Sequence, residues 1–310
     1  MVLVEKKRNL VVFFQSQQRK SAQLCANILK EKKMEITDNL FEVPQDLKPF
    51  IKAIWSVRAE GQPGEISPMQ CCLPNGLAEL IINLTPQHRH FGDLHGNWMT
   101  FPNAYVVGVM SEPVYWNMEA GAQIMGISLK PEAFIALFNR SIGDLADTIA
   151  ETHTFFGHLL GDLIAQIRQA PDNESRKDLI IQYFRKRQAI QEGRQPYFYQ
   201  ALEQIRASSE IPSMEDICEQ VLVGKRQLQR AFQDNLGISL KTYGRIIRFT
   251  KVYEFIYKNP QRKLTEIAHE FGYADQSHFI REFREFTGDN PTSFISGFEH
   301  QPRVLLALMN

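Results

Sequence analysis

An internal repeat in the last third of the chain constrains the fold more than any other feature of the sequence. Seven positions recur at an offset of 50 residues for the first two and 51 for the others. The first copy has Ile217, Val221, Leu228, Arg230, Phe232, Gly237 and Tyr243, and the second has Ile267, Phe271, Phe279, Arg281, Phe283, Gly288 and Phe294. One extra residue in the second turn explains the change of offset. The repeat indicates two copies of one supersecondary unit.

Each copy reads as a helix, a tight turn and a second helix. In the first, Ser213 opens a capping box, and the second helix starts at Lys225 after a turn at residues 222–224. Leu228 and Phe232 are four residues apart and are expected to pack inward. The residues left outside are Lys225, Arg226, Gln229, Arg230 and Gln233. Arg and Gln can each bond a purine through two atoms, so this face suits reading of a DNA major groove.

The second copy is predicted to run over residues 264–271, turn at 272–275, and continue as a helix over 276–286. Phe279 and Phe283 are predicted to be internal. The outward residues are Gln276, Ser277, His278 and Arg281. For His278, packing or capping is as good an interpretation as contact with a base.

A helix of about 18 residues, capped by Ser239, is predicted to connect the two motifs. Lys241, Arg245, Arg248 and Lys251 recur on it at helical spacing as one basic stripe. Residues 224–252 hold seven Lys or Arg and one acid, a local charge of +6, although the whole chain has 35 basic and 35 acidic residues. An isolated stripe of this kind is usually a solvated face. Beside a duplicated helix-turn-helix, it favours phosphate binding that weakens as salt rises.

The second motif is acidic, with Glu266, Glu270, Asp275, Glu282 and Glu285 against Arg281 and Arg284. We therefore expect the first motif and the connecting helix to supply most of the affinity.

Residues 196–296 resemble the AraC/XylS DNA-binding domain, which has two helix-turn-helix subdomains joined by a long helix. The resemblance rests on residues 267–273, residues 275–279, Arg281, Phe283, Gly288 and Pro291, and on Leu228, Arg230, Phe232, Gly237, Ser239, Tyr243 and Arg248 in the first motif. It implies that the two recognition helices enter successive major grooves about 34 Å apart. Gly224 replaces the family's usual serine cap, and Asn290 replaces the usual Ser or Thr before Pro291.

The first half reads as short strands from about residue 40 to 130, punctuated by Pro and Gly, followed by helices. One helix is predicted after Pro131, one amphipathic helix over 155–167 and another over 175–190. The overall fold class is thus α+β: a small antiparallel β-barrel with flanking helices, then an all-α tandem helix-turn-helix domain. The first half resembles the cupin-like sensor halves often fused to such domains, through residues 73–76, Glu79, Leu80, Gly108 and residues 129–131.

That resemblance implies a pocket for a small effector, with Trp55, Glu79, Trp98 and Trp116 as candidate ligand contacts. The alternative is that these aromatic residues are ordinary core. The predicted domains are a basic lead-in (1–37), the cupin-like sensor and dimerisation domain (38–187), a linker (188–195), the DNA-binding domain (196–300) and a tail (301–310).

Composition excludes several classes of protein. Hydrophobic residues make up 44% and charged residues 23%, the mix of an ordinary globular protein. We see no apolar run near the ~20 residues that span a bilayer, no secretory signal, and only four unevenly spaced cysteines, so we expect a cytoplasmic protein. His88, His90, Asp93 and His95 are close together but lack the spacing of a metal-binding cupin. No cofactor, metal or catalytic site is predicted.

The sequence therefore predicts a transcriptional regulator rather than an enzyme. Its expected partners are double-stranded promoter DNA, a small-molecule effector, a second copy of the chain and, for an activator, RNA polymerase. The main alternative keeps the same DNA-binding regulator but gives it a ligand-free first half that only dimerises. A repair methyltransferase would need a zinc-held cysteine cluster that Cys71 and Cys72 lack. A metal-dependent cupin enzyme would rest on the histidine cluster alone.

Overall fold

The computed structural model describes residues 34–86, 89–92, 98–188, 196–208 and 211–296. Strands occupy the first part of the chain and helices the second, as the α+β prediction requires. The strands are β1 (Glu35–Phe41), β2 (Ile51–Glu60), β3 (Gln70–Cys72), β4 (Ala78–Asn83), β5 (Arg89–Gly92), β6 (Trp98–Thr100), β7 (Ala104–Val107), β8 (Val114–Met118), β9 (Gln123–Leu129) and β10 (Ile149–Glu151).

The strands form two antiparallel sheets that face each other. One has the order β1-β2-β9-β4-β7-β10 and the other β3-β8-β5-β6. Side chains alternate between the faces: Trp55 and Val57 of β2 lie in a core between the sheets, whereas Ile54 lies in a larger core on the outer face. Ile51 is four residues from Trp55, a spacing that places both side chains on one face of a regular strand. A register shift between Ile51 and Ala53 moves Ile51 to the other face instead.

Five elements follow or interrupt the strands of the first half: α1 (Glu132–Phe138), a 3₁₀ turn (Gly143–Leu145), α2 (Thr152–Phe156), α3 (Gly161–Gln169) and α4 (Asn173–Gln188). Pro131 occupies the N-cap of α1, where its missing N–H does no harm. The single helix predicted over 155–167 was wrong. It is split because Gly157 adopts a positive φ of 62°, which stops α2 after one turn.

The described residues of the second half form helices joined by short turns. The helices are α5 (Pro196–Ala207), α6 (Met214–Val221), α7 (Lys225–Leu236), α8 (Leu240–Lys258), α9 (Leu264–Glu270), α10 (Gln276–Thr287) and α11 (Pro291–Ser296). The predicted connecting helix of about 18 residues is α8, with 19. None of the described helices combines the length and the apolar character needed to cross a membrane.

The two halves share one continuous hydrophobic core. It joins the outer face of the larger sheet and α1–α4 to the interior of α5–α10. Gly76, in the turn before β4, lies against Tyr243 and Ile247 of α8, where an added Cβ would come within 2.8 Å of Ile247. The helical second half is therefore packed directly on the first half. The predicted linker lies almost entirely outside the described residues, and β1 begins inside the segment predicted as a lead-in.

Candidate nucleic-acid interface

The first motif is built by α6 and α7. The Ser213 hydroxyl accepts a hydrogen bond from the Asp216 backbone N–H at 3.0 Å, which is the predicted cap of α6. Gly224 precedes α7 without a side-chain cap, so the expected loss of that bond is confirmed. Leu228 and Phe232 are fully buried under the helix. All five residues predicted to face outward are exposed: Lys225, Arg226, Gln229, Arg230 and Gln233.

Local contacts orient three of these five side chains. Lys225 pairs with Glu215 of α6. Arg230 donates to Asp234 at 3.2 Å, one helical turn further on. The amide of Gln233 donates to the Gly237 carbonyl at 3.1 Å, so Gln233 stabilises the end of α7 as well as lying on its outer face.

The second motif is built by α9 and α10 in the same order of helix, turn and helix. The Asp275 carboxylate accepts from the His278 backbone N–H at 2.7 Å and caps α10, while Phe279 and Phe283 are buried. Ser277 and Arg281 are exposed, and Gln276 and His278 are half-buried. The His278 ring lies edge-on to Tyr273 with centroids 5.3 Å apart. Packing therefore accounts for much of the His278 side chain.

Three of the four members of the predicted basic stripe on α8 make contacts inside the protein, so the stripe does not form one solvent-facing surface. Lys241 is exposed. Arg248 has only 8% of its side chain exposed because it is paired with Glu282 of α10, at 2.8 Å, and lies 3.8 Å from the ring centre of Tyr273. Arg245 also donates to Glu282, at 2.8 Å, and to Glu285, at 2.5 Å. These arginines join the two motifs instead of facing solvent.

Lys251, the fourth member, is half-buried and donates to the backbone carbonyl of Ser208. Burial lowers the pKa of Lys251 below its usual value. Its ammonium group is thus committed to the junction between α5 and α8.

Glu282 is buried, although the sequence analysis counted it among the acidic residues of the second motif. Only 2% of its side chain is exposed. It accepts from Arg245, Arg248 and, at 2.9 Å, the Tyr273 hydroxyl. One signal was available: Arg245 and Arg248 are three apart on one helix, and Glu282 and Glu285 are three apart on another, so two matching faces were present. The second motif is consequently less acidic at its surface than its composition indicates.

The candidate ligand residues of the first half are partly brought together between the two sheets. Trp55 donates through Nε1 to the Ser128 hydroxyl at 2.9 Å, and Ser128 donates to the Glu79 carboxylate at 3.0 Å. Trp116 is buried in the same inner core as Trp55. Gly126 is required opposite Trp55, because a Cβ there would lie 2.1 Å from the indole ring.

Two other predictions concern residues that the structure describes incompletely or not at all. Trp98 is in β6, but its side chain lies outside the described part of the structure, as does the side chain of His90 in β5. His88, Asp93 and His95 are outside the described residues altogether.

The comparisons with known proteins bear on both halves. Residues 217–297 match the family described as "Helix-turn-helix domain", the part of the chain that forms α6 to α11. The C-terminal part of the chain is an AraC-type helix-turn-helix domain. Residues 41–151 match a "Domain of unknown function (DUF6597)", which spans most of the two sheets.

Three individual proteins are similar to this chain. The Msm operon regulatory protein of Streptococcus mutans is 25% identical over 79 residues, which span 26% of this chain and 28% of that relative. The crystal structure of ToxT from Vibrio cholerae O395 is 10% identical, covers 86% of this chain and 98% of its own, and has a TM-score of 0.42. The transcriptional regulator CdpR of Pseudomonas aeruginosa is 18% identical over 57% of this chain and 47% of its own, with a TM-score of 0.30.

Proposed function

We propose that the protein is a sequence-specific DNA-binding transcriptional regulator, with promoter DNA as its partner and a small-molecule effector bound in the first half. The observation that carries the proposal is the polar face of α7 (Lys225–Leu236). The five residues predicted to face outward are all exposed, whereas Leu228 and Phe232 on the opposite side are fully buried. A helix with this division can enter a major groove without losing its own packing.

The side chains of α7 suit base and phosphate contacts. Arg226 and Arg230 can bond guanine through two acceptors, and Gln229 can do the same with adenine. Lys225 and Lys241 are exposed cations at the starts of α7 and α8, where they would contact phosphates. With Arg245 and Arg248 paired internally, we assign phosphate contact on α8 to Lys241.

The second motif contributes fewer contacts in this proposal. Ser277 and Arg281 are its exposed candidates, with Gln276 and His278 half-buried beside them. The ion pairs from Arg245 and Arg248 to Glu282 hold α10 against α8. The two recognition helices are thereby presented as one unit, which reading of successive grooves requires.

Selection from a random pool of duplexes, followed by gel shifts over a salt series, tests DNA reading. We expect one enriched sequence, with affinity that falls steeply as salt rises. Arg230→Ala should weaken binding to it by roughly 1–3 kcal/mol. Arg168→Ala removes the same charge from an exposed position on α3 (Gly161–Gln169) and is the matched control. No enriched sequence, or equal losses in both variants, would refute the proposal.

A chain of hydrogen bonds between the two sheets supports the effector part of the proposal. It runs from Trp55 through Ser128 to Glu79, and Trp116 lies in the same core. Glu79 is half-buried, as a side chain at the margin of a binding site would be. A thermal-shift panel of small organic acids, amines and sugars tests it. A compound that stabilises the wild type but not Glu79→Gln supports the effector.

The alternative function is a regulator whose first half binds no ligand and serves dimerisation. Sedimentation of the full chain distinguishes the two, since a dimer that no compound in the panel stabilises would favour this alternative. Contact with RNA polymerase would follow if the protein activates transcription, and reporter assays with the selected sequence upstream of a promoter would measure that.

A further inference from the structure

The segment of residues 139–147 connects α1 to β10 and is called the latch below. It contains the 3₁₀ turn Gly143–Leu145. Both of its ends are non-glycine residues in the left-handed region, Asn139 at φ 49° and Asp147 at φ 52°. Such residues are uncommon outside glycine and persist where surrounding contacts hold them. The latch is therefore a fixed structure with two sharp ends.

One side of the latch is attached to the loop between β7 and β8 in the first half. The Asp147 carboxylate accepts from the Ser111 backbone N–H at 2.6 Å and from its hydroxyl at 2.8 Å. The Asp147 N–H donates to the Val109 carbonyl at 3.1 Å. A Cβ on Gly108 would lie 1.9 Å from the Leu145 carbonyl oxygen, so only glycine permits the latch to lie this close to the end of β7.

The other side of the latch contacts the C-terminal end of α7. The Ser141 hydroxyl donates to the Asp234 carbonyl, and the Ile142 N–H donates to the Asn235 carbonyl at 3.3 Å. These carbonyls belong to the last turn of the helix, whose acceptors lack partners within the helix. A Cβ on Gly143 would lie 2.4 Å from the Asp234 oxygen. Gly143 thus contacts the backbone of α7 directly, and no flexible side chain there could move aside to accommodate a larger residue.

The same contact includes the elbow between α7 and α8. Gly237, at φ 71°, ends α7, and a Cβ on it would lie 2.1 Å from the Gly143 carbonyl oxygen. The latch therefore fixes the end of the recognition helix and the start of the connecting helix together. Lys225 and Arg226, at the opposite end of α7, stay exposed. The latch restrains the helix without covering the face proposed to read DNA.

We propose that the latch is the element through which the first half sets the orientation of α7 on DNA, with Ser141 and Gly143 as positioning residues. This inference rests on the proposed function. The latch is hydrogen-bonded to Val109 and Ser111 of the β7–β8 loop on one side and to Asp234 and Asn235 on the other, so a shift of that loop moves the helix. A helix fixed before binding loses less freedom when it docks, which favours the specific complex.

Gly143→Ala tests the latch at its closest contact. Its added methyl group forces the latch away from α7, while Gly143 has no positive φ that alanine would strain. Gly161→Ala is the matched control, because Gly161 also lacks a positive φ and its Cβ would meet nothing within 4 Å. Ser141→Ala is a milder variant that removes the hydroxyl donor, and Ser141→Thr restores it.

Two measurements are made on each full-length variant. Hydrogen exchange reports whether residues 139–147 and 233–240 loosen, and gel shifts compare the duplex enriched by the wild type with a scrambled duplex. We expect Gly143→Ala to loosen both segments and to weaken binding to the enriched duplex about fivefold, with little change for the scrambled one. Ser141→Ala should show a smaller loss, Ser141→Thr should recover it, and Gly161→Ala should match the wild type.

The outcomes separate this inference from the proposed function. If Gly143→Ala loosens the segments but binds the enriched duplex as the wild type does, the latch does not position α7 and the inference fails alone. Equal losses of affinity for both duplexes indicate a merely structural role and also overturn the inference. Unchanged hydrogen exchange in both Gly143→Ala and Ser141→Ala overturns it as well. If the wild type enriches no sequence, the proposed function fails and the inference fails with it, whatever the exchange shows.

Discussion

Leu222 illustrates how a single residue of the repeat departs from its duplicate. It occupies the turn of the first motif in the left-handed region, at φ 55°, with 89% of its surface exposed. The matching position in the second motif is Gly272, at φ 67°. The left-handed conformation costs leucine roughly 1–2 kcal/mol, and a side chain this exposed offsets little of that cost through packing.

Leu222→Gly is accordingly expected to stabilise the chain. The relief of strain is offset in part by the greater freedom of glycine in the unfolded chain, which leaves a net gain of about 0.5–1 kcal/mol in the free energy of unfolding. Urea denaturation measures it. Leu222→Ala keeps the Cβ and should gain nothing. A loss of stability in the glycine variant would contradict this account of the turn.

Arg248 and Lys241 separate a structural from a DNA-binding role on one helix, α8. Arg248→Ala leaves the buried Glu282 with one cation fewer, so we expect a loss of about 3 kcal/mol in unfolding free energy. Lys241→Ala should change stability by less than about 0.5 kcal/mol, because Lys241 is exposed. It should instead reduce the slope of log affinity against log salt by about 1. If Arg248→Ala is instead as stable as the wild type and reduces the salt slope, Arg248 contacts phosphate and the predicted basic stripe is correct.

At the scale of elements, the two recognition helices α7 and α10 are expected to contribute unequally. Arg226 lies beside other cations at the exposed start of α7, whereas Arg281 lies on α10 near Glu285. We therefore expect Arg226→Ala to weaken binding to the enriched duplex by about 1–3 kcal/mol, and Arg281→Ala by clearly less. Gel shifts at one fixed salt concentration make the comparison. Equal losses would show that the second motif binds as strongly as the first.

The elements were predictable wherever local chemistry decides them. The caps at Ser213 and Ser239 and the buried pair Leu228 and Phe232 follow from short sequence spacings, and all are observed. Asn290 likewise accepts from the Ser293 N–H at 3.0 Å, and so caps α11 in place of the usual Ser or Thr. These features depend on residues within one or two turns of each other, which a single sequence records.

Long-range pairing was not predictable in the same way. Glu282 and Arg248 are 34 residues apart, and their ion pair depends on how α10 packs against α8, which a helical period does not specify. The short strands β3 and β10 have only three residues each, too few for an alternating pattern. The break of the predicted 155–167 helix at Gly157 depends on one φ angle that the apolar stripe conceals.

For the whole molecule, the junction between the halves is held by a buried ion pair as well as by apolar contacts. Arg206 of α5 donates to the Glu132 carboxylate of α1 at 2.7 Å and to the Tyr243 hydroxyl of α8 at 3.0 Å. Burial raises the pKa of Tyr243 to about 12, so its hydroxyl keeps its proton at neutral pH. Because burial makes such a pair expensive to break, the two halves are expected to unfold together.

Acidic groups also meet across this junction, and they make its stability depend on pH. Glu112, in the turn before β8, is half-buried near Asp147 of the latch and Glu285 of α10. Burial first, and then the charges of Asp147 and Glu285, raise the pKa of Glu112 above its ordinary value of 4.5. The folded chain thus holds this proton more tightly than the unfolded chain does. The ionised form of Glu112 consequently destabilises the fold, from its ordinary pKa upward.

Glu112→Gln removes that charge while keeping the shape of the side chain. At about pH 8 the variant should be more stable than the wild type by less than about 1 kcal/mol, because Glu112 is partly exposed and solvent screens its neighbours. At about pH 4 the carboxyl is largely protonated in the folded wild type, and the difference should vanish. Urea denaturation across this range measures it, with Glu151→Gln, an exposed residue of β10, as control. If the gain in stability does not change with pH, or if the wild type is the more stable protein at pH 8, ionised Glu112 does not destabilise the junction. Glu285 then lies near the first half without repelling Glu112.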